Sequence, residues 1–519
     1  MKVLLVNPAH PQTFWSFETV IEMLGKKALL PPLGLLTVAA LLPRDWDLKL
    51  VDLTFQEISP QDWDECDLVM VSGMIVQYQG ILQTIREGKR RAKTVVVGGA
   101  WAFHYPEDAL AAGADLVVKG EGEVALPLLL KSLERKEFGK VIRAAGAARM
   151  DDSPAPRYDL IDPDNYMNLA LQFSRGCPFH CEFCDITLMF GRRVRTKTPR
   201  QFLEELQLLY DTGWRGPIFV VDDNFIGNPG RAKVLLKELV PWQSSRGHPF
   251  EFYTQASVNL AWDQELLELM VLSGFTSVFL GIETTDEESL RLAGKTQNVG
   301  VDLDLVCQTI NRAGLVIQAG CILGFDQERP GADRRLLDFA SRNQIPEMFI
   351  TLLQAGPGTE LWMRLEKEGR LLSTDYQHFS NQTGLINFVP TRPLAQIVKE
   401  FIHLYQVLYE PGYYLERSLA HFSSMGPVRI TKPFSLPRLF EVRAVLLFLF
   451  RLGIQSPWRW KFWKTLLTAL WKIPERLHHF ISVCIKLEHY FQYRQTIAAE
   501  LRGQLARLDQ DRVFPGKGS

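Results

Sequence analysis

From residue 2 to residue 142 short apolar runs alternate with longer amphipathic stretches. The segments 3–6, 49–52, 68–72, 94–98 and 116–119 read as buried strands, whereas 33–42 and 81–91 carry helical spacing. Strand, helix, strand in repetition predicts an α/β domain, a doubly wound, Rossmann-like parallel sheet with helices on both faces. Ligand loops in such a sheet gather at the carboxyl ends of the strands. Those ends carry Asn7-Pro8, Asp52, Ser72-Gly73-Met74, Gly98-Gly99 and Gly120-Glu121-Gly122-Glu123.

The stretch 144–163 is rich in Ala, Asp and Pro and has no clear period, which reads as a linker. Alternation resumes with strand patterns at 169–173, 218–221, 250–255, 277–281, 316–323 and 348–352, separated by helical patterns at 199–212, 231–242, 264–273 and 301–313. Six strands with intervening helices predict an open, partial (β/α)6 barrel with its site at the strand C-termini. Beyond residue 356 helical and irregular segments with clustered aromatics, among them Trp458, Trp460, Phe462, Trp463 and Trp471, predict a mainly helical part. The expected boundaries are 1–143, a linker at 144–165, the barrel at 166–375 and the helical domain at 376–519.

A chain of 519 residues is too long for one core, and its 46% apolar and 23% charged residues are those of a soluble globular protein. A net charge of −1 excludes a global pull toward nucleic acid. The start shows no basic segment followed by a long apolar stretch, so a cytoplasmic location is expected. The longest uninterrupted apolar run, 444–450, falls far short of the roughly 20 residues of a membrane span. Charge is nevertheless uneven, because 438–494 holds ten Lys or Arg against Glu441, Glu475 and Glu488. Within 458–472 the residues Phe462, Trp463, Leu466, Leu467 and Leu470 share one helical face, with Lys461, Lys464 and Lys472 largely opposite. Two readings stand: a helix lying at a membrane interface, or a basic outer face over an aromatic core helix. The feature favours a hydrophobic substrate over a charged one and makes a peripheral membrane contact through 438–494 an expectation.

Seven cysteines are present, and three of them, Cys177, Cys181 and Cys184, fall within eight residues. This is metal spacing, whereas Cys66, Cys307, Cys321 and Cys484 are scattered singly and read as small buried hydrophobes. Three thiolates can ligate three of the four irons of a [4Fe-4S] cluster and leave the fourth open. Structural zinc wants four closed ligands, and His180, placed between Cys177 and Cys181, suits tetrahedral closure poorly.

The gaps of three and two residues, with Phe183 before the last cysteine, resemble the signature of the radical S-adenosylmethionine (SAM) superfamily. The resemblance implies that the open iron chelates SAM, that Phe183 touches adenine, and that reduction releases a 5'-deoxyadenosyl radical. Asp222, Asp223 and Asn224 follow a strand and suit the SAM ammonium, although Asx residues there also cap helices. Gln255 and Ser257 close the next strand and suit the ribose. Gly281-Ile282-Glu283 resembles the family segment whose glycine permits close approach to SAM and whose acid reaches a polar edge.

An α/β domain before such a barrel is similar to the cobalamin-binding class. Leu30-Pro31-Pro32-Leu33-Gly34, Val97-Gly98-Gly99 and Gly120-Glu121-Gly122-Glu123 look like its recurring segments. Cobalamin contacts are expected at Ser72, Gly73, Met74, Gln77, Gly98, Gly99, Gly120 and Glu121. The histidine of the Asp-x-His-x-x-Gly pattern is missing, since Asp52-Leu-Thr54-Phe-Gln-Glu has none. Gln77 or Tyr78 is then expected near the lower face of cobalt, with His104 as a rival ligand.

Over nearly its full length the chain resembles cobalamin-binding radical SAM proteins of the hopanoid C-2 methylase type. That resemblance implies [4Fe-4S], SAM and cobalamin as cofactors, a small hydrophobic substrate, and an electron donor such as flavodoxin or ferredoxin. One SAM would methylate cobalt and another would supply the radical that activates a carbon for methylation. Radical cyclisation or oxidation without methyl transfer, and a non-catalytic cobalamin sensor or carrier, are the other readings. No single catalytic residue is singled out.

Overall fold

The computed structural model describes residues 1–372, 384–430 and 439–513. They form two compact units that do not follow chain order. The first takes Met1–Gln12, Lys26–Pro178 and Asp185–Gln255, and the second Thr13–Gly25, Phe179–Cys184 and Ala256–Ser519.

In the first unit β1 (Lys2–Asn7), β2 (Asp47–Asp52), β3 (Leu68–Ser72), β4 (Thr94–Gly98), β5 (Leu116–Lys119) and β6 (Lys140–Arg143) make one sheet in the order β2-β1-β3-β4-β5-β6. Every pairing is parallel. Strands 3–6, 68–72 and 94–98 are continuous apolar runs because helices cover both faces, and Leu5, Val69, Val95 and Val97 are wholly buried. The order reverses between β1 and β3, so the ligand crevice of this topology lies outside Asn7 and Ser72. β6 was not anticipated: Lys-Val-Ile-Arg is a short edge strand with a charge at each end.

The linker 144–165 is ordered and holds three short 3₁₀ turns, Met150–Asp152, Tyr158–Leu160 and Pro163–Asn165. Its buried Tyr158 donates to the Ala170 carbonyl at 2.7 Å and Arg157 N–H to Leu36 O at 3.1 Å. It leads into β7 (Leu169–Leu171), followed by a hairpin of β8 (Ser174–Arg175) and β9 (Arg195–Thr196), which pair antiparallel. Strands β10 (Pro217–Val220) and β11 (Glu251–Ala256) then extend β7 into a parallel ladder. The crossover helix Pro199–Asp211 starts on a capping box in which Thr198 and Gln201 serve each other's backbone N–H, with Pro199 at the first turn.

The second unit holds β12 (Phe275–Glu283), β13 (Val316–Leu323) and β14 (Glu347–Leu352), again parallel. Its helices Leu303–Ala313 and Ala332–Arg342 cross between them. The backbone of β14 is not left open. Tyr409 Oη donates to Met348 O at 2.7 Å and accepts from Met348 N–H at 3.0 Å, and Tyr405 does the same at Ile350. Two phenols from the helix Leu394–Leu408 and its C-terminal cap thereby do the work of a neighbouring strand.

Further helices of this unit include Pro411–Ser424, Leu439–Phe450, Arg459–Lys472, Leu477–Cys484 and Leu487–Val513. The N-terminal piece Thr13–Gly25 packs with them: Phe14 stacks on Tyr490 at 4.6 Å, and His489 Nε2 donates to Phe14 O. Burial holds the His489 pKa down at about 4, which keeps the ring neutral for that bond. The helical face expected within 458–472 is corrected here. Phe462 and Leu466 are buried, but Leu467 and Leu470 are exposed together with Trp460 and Trp471. Apolar residues occupy two opposite faces of this helix, so periodicity alone could not tell which one the core takes.

Candidate active site

The cysteine segment begins at the β8–β9 hairpin, which closes its base. Gly176 has φ +93°, and a Cβ there would lie 2.9 Å from the carbonyls of Gly191 and Arg193, so only glycine makes the turn into Cys177. Cys177 N–H donates to Gly191 O at 3.3 Å. Cys177, Cys181 and Cys184 are half-buried, whereas the other four cysteines are buried. Burial pushes the Cys307 thiol up to about 12 and raises those of Cys66, Cys321 and Cys484, which keeps all four protonated and inert.

Within the first unit the hairpin is held by acids from the N-terminal sheet. Arg175 Nη1 donates to Glu121 at 2.8 Å and to Glu123 at 2.9 Å, and Arg195 Nη1 donates to Glu121 at 2.9 Å. Glu121 also accepts from Ala148 N–H, and Glu123 from the Ser153 hydroxyl. Burial alone would push these groups toward neutrality, but the pairing overrides it: Glu123 stays below the ordinary carboxylate range and Arg175 above the ordinary guanidinium. A second tie runs from His104, at the end of the helix Gly99–His104, whose Nε2 lies 3.0 Å from Oδ2 of Asp185, the residue after Cys184.

The loop after β10 lies beside Cys177, since Asn224 Nδ2 is 4.0 Å from its sulfur. The two acids before it behave differently. Asp222 is fully buried and accepts from Phe173 N–H at 2.7 Å and from the Ser174 hydroxyl, fixing the backbone that leads into the cysteines. Asp223 keeps one buried oxygen, Oδ2, with no hydrogen-bond partner. Burial pushes each carboxyl up to about 7, and for Asp223 the neighbouring Asp222 and Asp185 add to the rise. Neither caps the next helix, whose N-cap is Asn228. A buried carboxylate oxygen without a donor, on the loop that lies beside Cys177, is what an iron-sulfur and SAM centre with its ammonium group asks of a protein, and these residues fit it. Gln255, on β11, accepts Phe225 N–H at its carbonyl.

In the second unit Arg364 Nε and Nη2 donate to Glu182 at 3.0 and 2.9 Å, and Arg364 and Arg370 share Asp326. Phe183 meets Phe325 edge-on at 5.8 Å. Ser257 donates to Asn259. Glu283 ends β12 with φ +64° and pairs with the buried Lys295 at 2.5 Å. A Cβ on Gly281 would run into both Glu283 Oε1 and Lys295 Nζ, so the glycine makes room for this ion pair. Burial works against the Lys295 ammonium, yet Glu283 and the thiols of Cys181 and Cys184 outweigh it and hold its pKa above the ordinary lysine value. Gln297 Nε2 donates to Cys181 Sγ at 3.7 Å. Neither Lys295 nor Gln297 was singled out from the sequence, since neither sits in a motif. The nearest sequence signal is Gly281-Ile282-Glu283, whose glycine is expected to permit close approach to SAM and in the structure makes room for the Glu283–Lys295 pair.

At the sheet edge Gln77 is buried in the switch-point crevice. Its amide donates to Pro8 O and to Asn7 Oδ1 and accepts from Met74 N–H at 2.9 Å. Its side chain is therefore spent in joining the loops after β1 and β3. Gly99, at φ +86°, lets the loop after β4 approach Ser72 and Gly73, and Gly98 precedes it at the end of β4. Gly120, at φ +118°, packs against Ala144, while Met74 is exposed at the edge. Asp52 accepts from Thr54 N–H and the Tyr166 hydroxyl.

Residues 27–130 match the B12 binding domain family, residues 171–318 the radical SAM superfamily, and residues 359–502 a domain of unknown function. The chain is 45% identical to an uncharacterized methyltransferase of Synechocystis sp., over 99% of this chain and 96% of that one. It is 32% identical to the hopanoid C-2 methylase of Rhodopseudomonas palustris, over 95% and 93%. The chain belongs to the cobalamin-dependent radical SAM methyltransferases. Solved structures agree on the fold: the radical SAM methyltransferase TsrM of Kitasatospora setae, with cobalamin and a [4Fe-4S] cluster bound, superposes with a TM-score of 0.60 at 16% identity, covering 96% of this chain and 99% of that one. The cobalamin-dependent radical enzyme OxsB gives 0.60 at 16% identity, over 98% and 84%. The cofactors of this methyltransferase family, a [4Fe-4S] cluster, SAM and cobalamin, are those the sequence pointed to. Among the described residues no helix is long and apolar enough to cross a membrane.

Proposed function

We propose that this methyltransferase transfers a methyl group to an unactivated carbon of a small hydrophobic, hopanoid-like lipid. The observation that carries the substrate class is the likeness to the hopanoid C-2 methylase over almost the whole of both chains. Cys177, Cys181 and Cys184 would hold the cluster, and Asp223 Oδ2, with no protein donor of its own, would take the SAM ammonium. Phe183, Asn224, Gln255, Ser257, Gly281 and Glu283 would line SAM, and Asp222 would keep the approach to Cys177 in place. When bound, the cluster and SAM supply a radical able to remove hydrogen from carbon, and cobalamin supplies the methyl group.

Ser72, Gly73, Met74, Gly98, Gly99 and Gly120 would border cobalamin at the sheet edge, with Gln77 setting the loop shape beneath them. Glu121 would serve that border through the cysteine hairpin rather than through its own carboxylate, which is fully engaged. His104 is engaged by Asp185 and is assigned to positioning, not to cobalt. A flavodoxin- or ferredoxin-type donor would supply the electron.

The test is an anaerobic incubation of reconstituted enzyme with cobalamin, reductant, SAM and bacterial lipid extract, scored by S-adenosylhomocysteine against 5'-deoxyadenosine. Comparable amounts of both, lost together in Cys181→Ala, are expected. Formation of 5'-deoxyadenosine alone would remove methyl transfer and favour radical cyclisation or oxidation.

A further inference from the structure

The helices Leu439–Phe450 and Arg459–Lys472 each bury one stripe and expose an apolar one opposite it. In the first, Ala444 and Phe448 are buried while Val442, Leu446 and Phe450, spaced four apart, face outward. In the second, Phe462, Thr465, Leu466 and Ala469 are buried while Trp460, Leu467 and Trp471 face outward. The exposures are large: 62% for Leu446, 75% for Trp460, 61% for Leu467 and 81% for Trp471. An amphipathic helix that only covers a core turns a polar side to water, whereas these two turn a mixed apolar and basic one. The inner sides are held firmly, with Phe448 edge-on to Phe462 at 5.2 Å and Trp463 Nε1 donating to Gly453 O at 2.8 Å. The apolar stripes are thus displayed on a packed support.

The same helices also expose cations. Arg443, Lys464 and Lys472 are exposed beside them, and 439–476 holds seven Lys or Arg against two Glu. Two indoles at the surface of one helix with lysine between them match the boundary between lipid headgroups and acyl chains, where an indole buries its ring and keeps its N–H wet. A basic surround selects lipids of negative charge.

We propose that these two helices dock the enzyme on the surface of an anionic bilayer, with Trp460, Leu467 and Trp471 entering the interface and Lys464 and Lys472 meeting headgroups. The proposal stands apart from the substrate assignment, because it concerns a surface and makes no use of the reaction.

The test is flotation of the full-length, cluster-loaded enzyme with vesicles of phosphatidylcholine alone or mixed with phosphatidylglycerol. Co-flotation with the mixed vesicles is expected, with a blue shift of tryptophan emission and loss at high salt. The double variant Trp460→Ser/Trp471→Ser should bind about tenfold more weakly, from the loss of its interfacial anchors. Lys464→Glu should weaken binding about fivefold or more, and only to charged vesicles. Both changes are on the surface, so unchanged cluster absorbance and thermal melting are expected. Equal flotation of wild type and the double variant would overturn the proposal. So would a concentration-dependent dimer, seen by sedimentation and dissolved by the tryptophan changes, in protein that ignores vesicles.

Discussion

Two arginine clamps hold the cysteine segment, and they are built differently. In the first unit Arg175 is buried, with 11% of its side chain exposed, and so are its partners Glu121 and Glu123 at 4% and 7%. In the second unit Arg364 is 34% exposed, while the carboxylates it grips, Glu182 and Asp326, are 13% and 14% exposed, so the difference lies mainly in the arginine. The same chemistry carries different weight in the two places. A buried charge that loses its partner keeps its desolvation cost, whereas a surface charge is taken up by water and salt. The first clamp is the one that cannot be opened cheaply.

Breaking it is the largest test. Glu121→Ala leaves Arg175 and Arg195 facing each other without their shared acid, and should cost about 3–5 kcal/mol of stability. The loss should appear as an early urea transition and low iron content, while Glu121→Gln should recover part of both. Lys295 sharpens the comparison, because it is a buried cation in the second unit. If burial rather than location decides, Lys295→Met should act strongly there too: the cluster should assemble but become harder to reduce in an electron paramagnetic resonance titration, since a positive charge beside Cys181 and Cys184 is gone.

Asp223 tests the cost of the open site itself. Its carboxyl titrates at about 7 when folded and near 3.9 in an unfolded chain, so the native state binds more protons and SAM-free stability should fall as pH rises from about 4 to about 7. Asp223→Asn should make that decline shallower, with Asp222, Glu205 and Glu328, also raised by burial, still contributing to it, and should weaken SAM binding measured by equilibrium dialysis. The smallest effect is expected from Arg364→Ala, about 1 kcal/mol, shrinking further in high salt. A larger, salt-insensitive loss would mean that the second clamp is as dry as the first.

Much of this was legible in the chain. Apolar runs such as 68–72 and 94–98, short and rich in valine, read as strands buried on both faces, and three cysteines in eight residues read as a metal loop. What stayed hidden depends on partners distant in sequence. The hairpin at Ser174–Arg175 has no propensity of its own and exists because Gly176 turns and Glu121 binds both of its strands. Lys295 lies far from the cysteines in sequence although its charge acts on Cys181 and Cys184, and Gln77, expected near cobalt, is spent in joining two loops. The segment Thr13–Gly25 joins the helical unit through Phe14, which no local pattern announces.

The Glu121 node also sets an order of events in synthesis. Arg175 is translated 52 residues after Glu123, so the acids that will receive the hairpin leave the ribosome first. Because folding during synthesis starts from the N-terminus, the sheet edge can be in place before Cys177 emerges. The nascent cysteine loop then closes against a finished template, and iron loading can follow the shape of the scaffold instead of creating it.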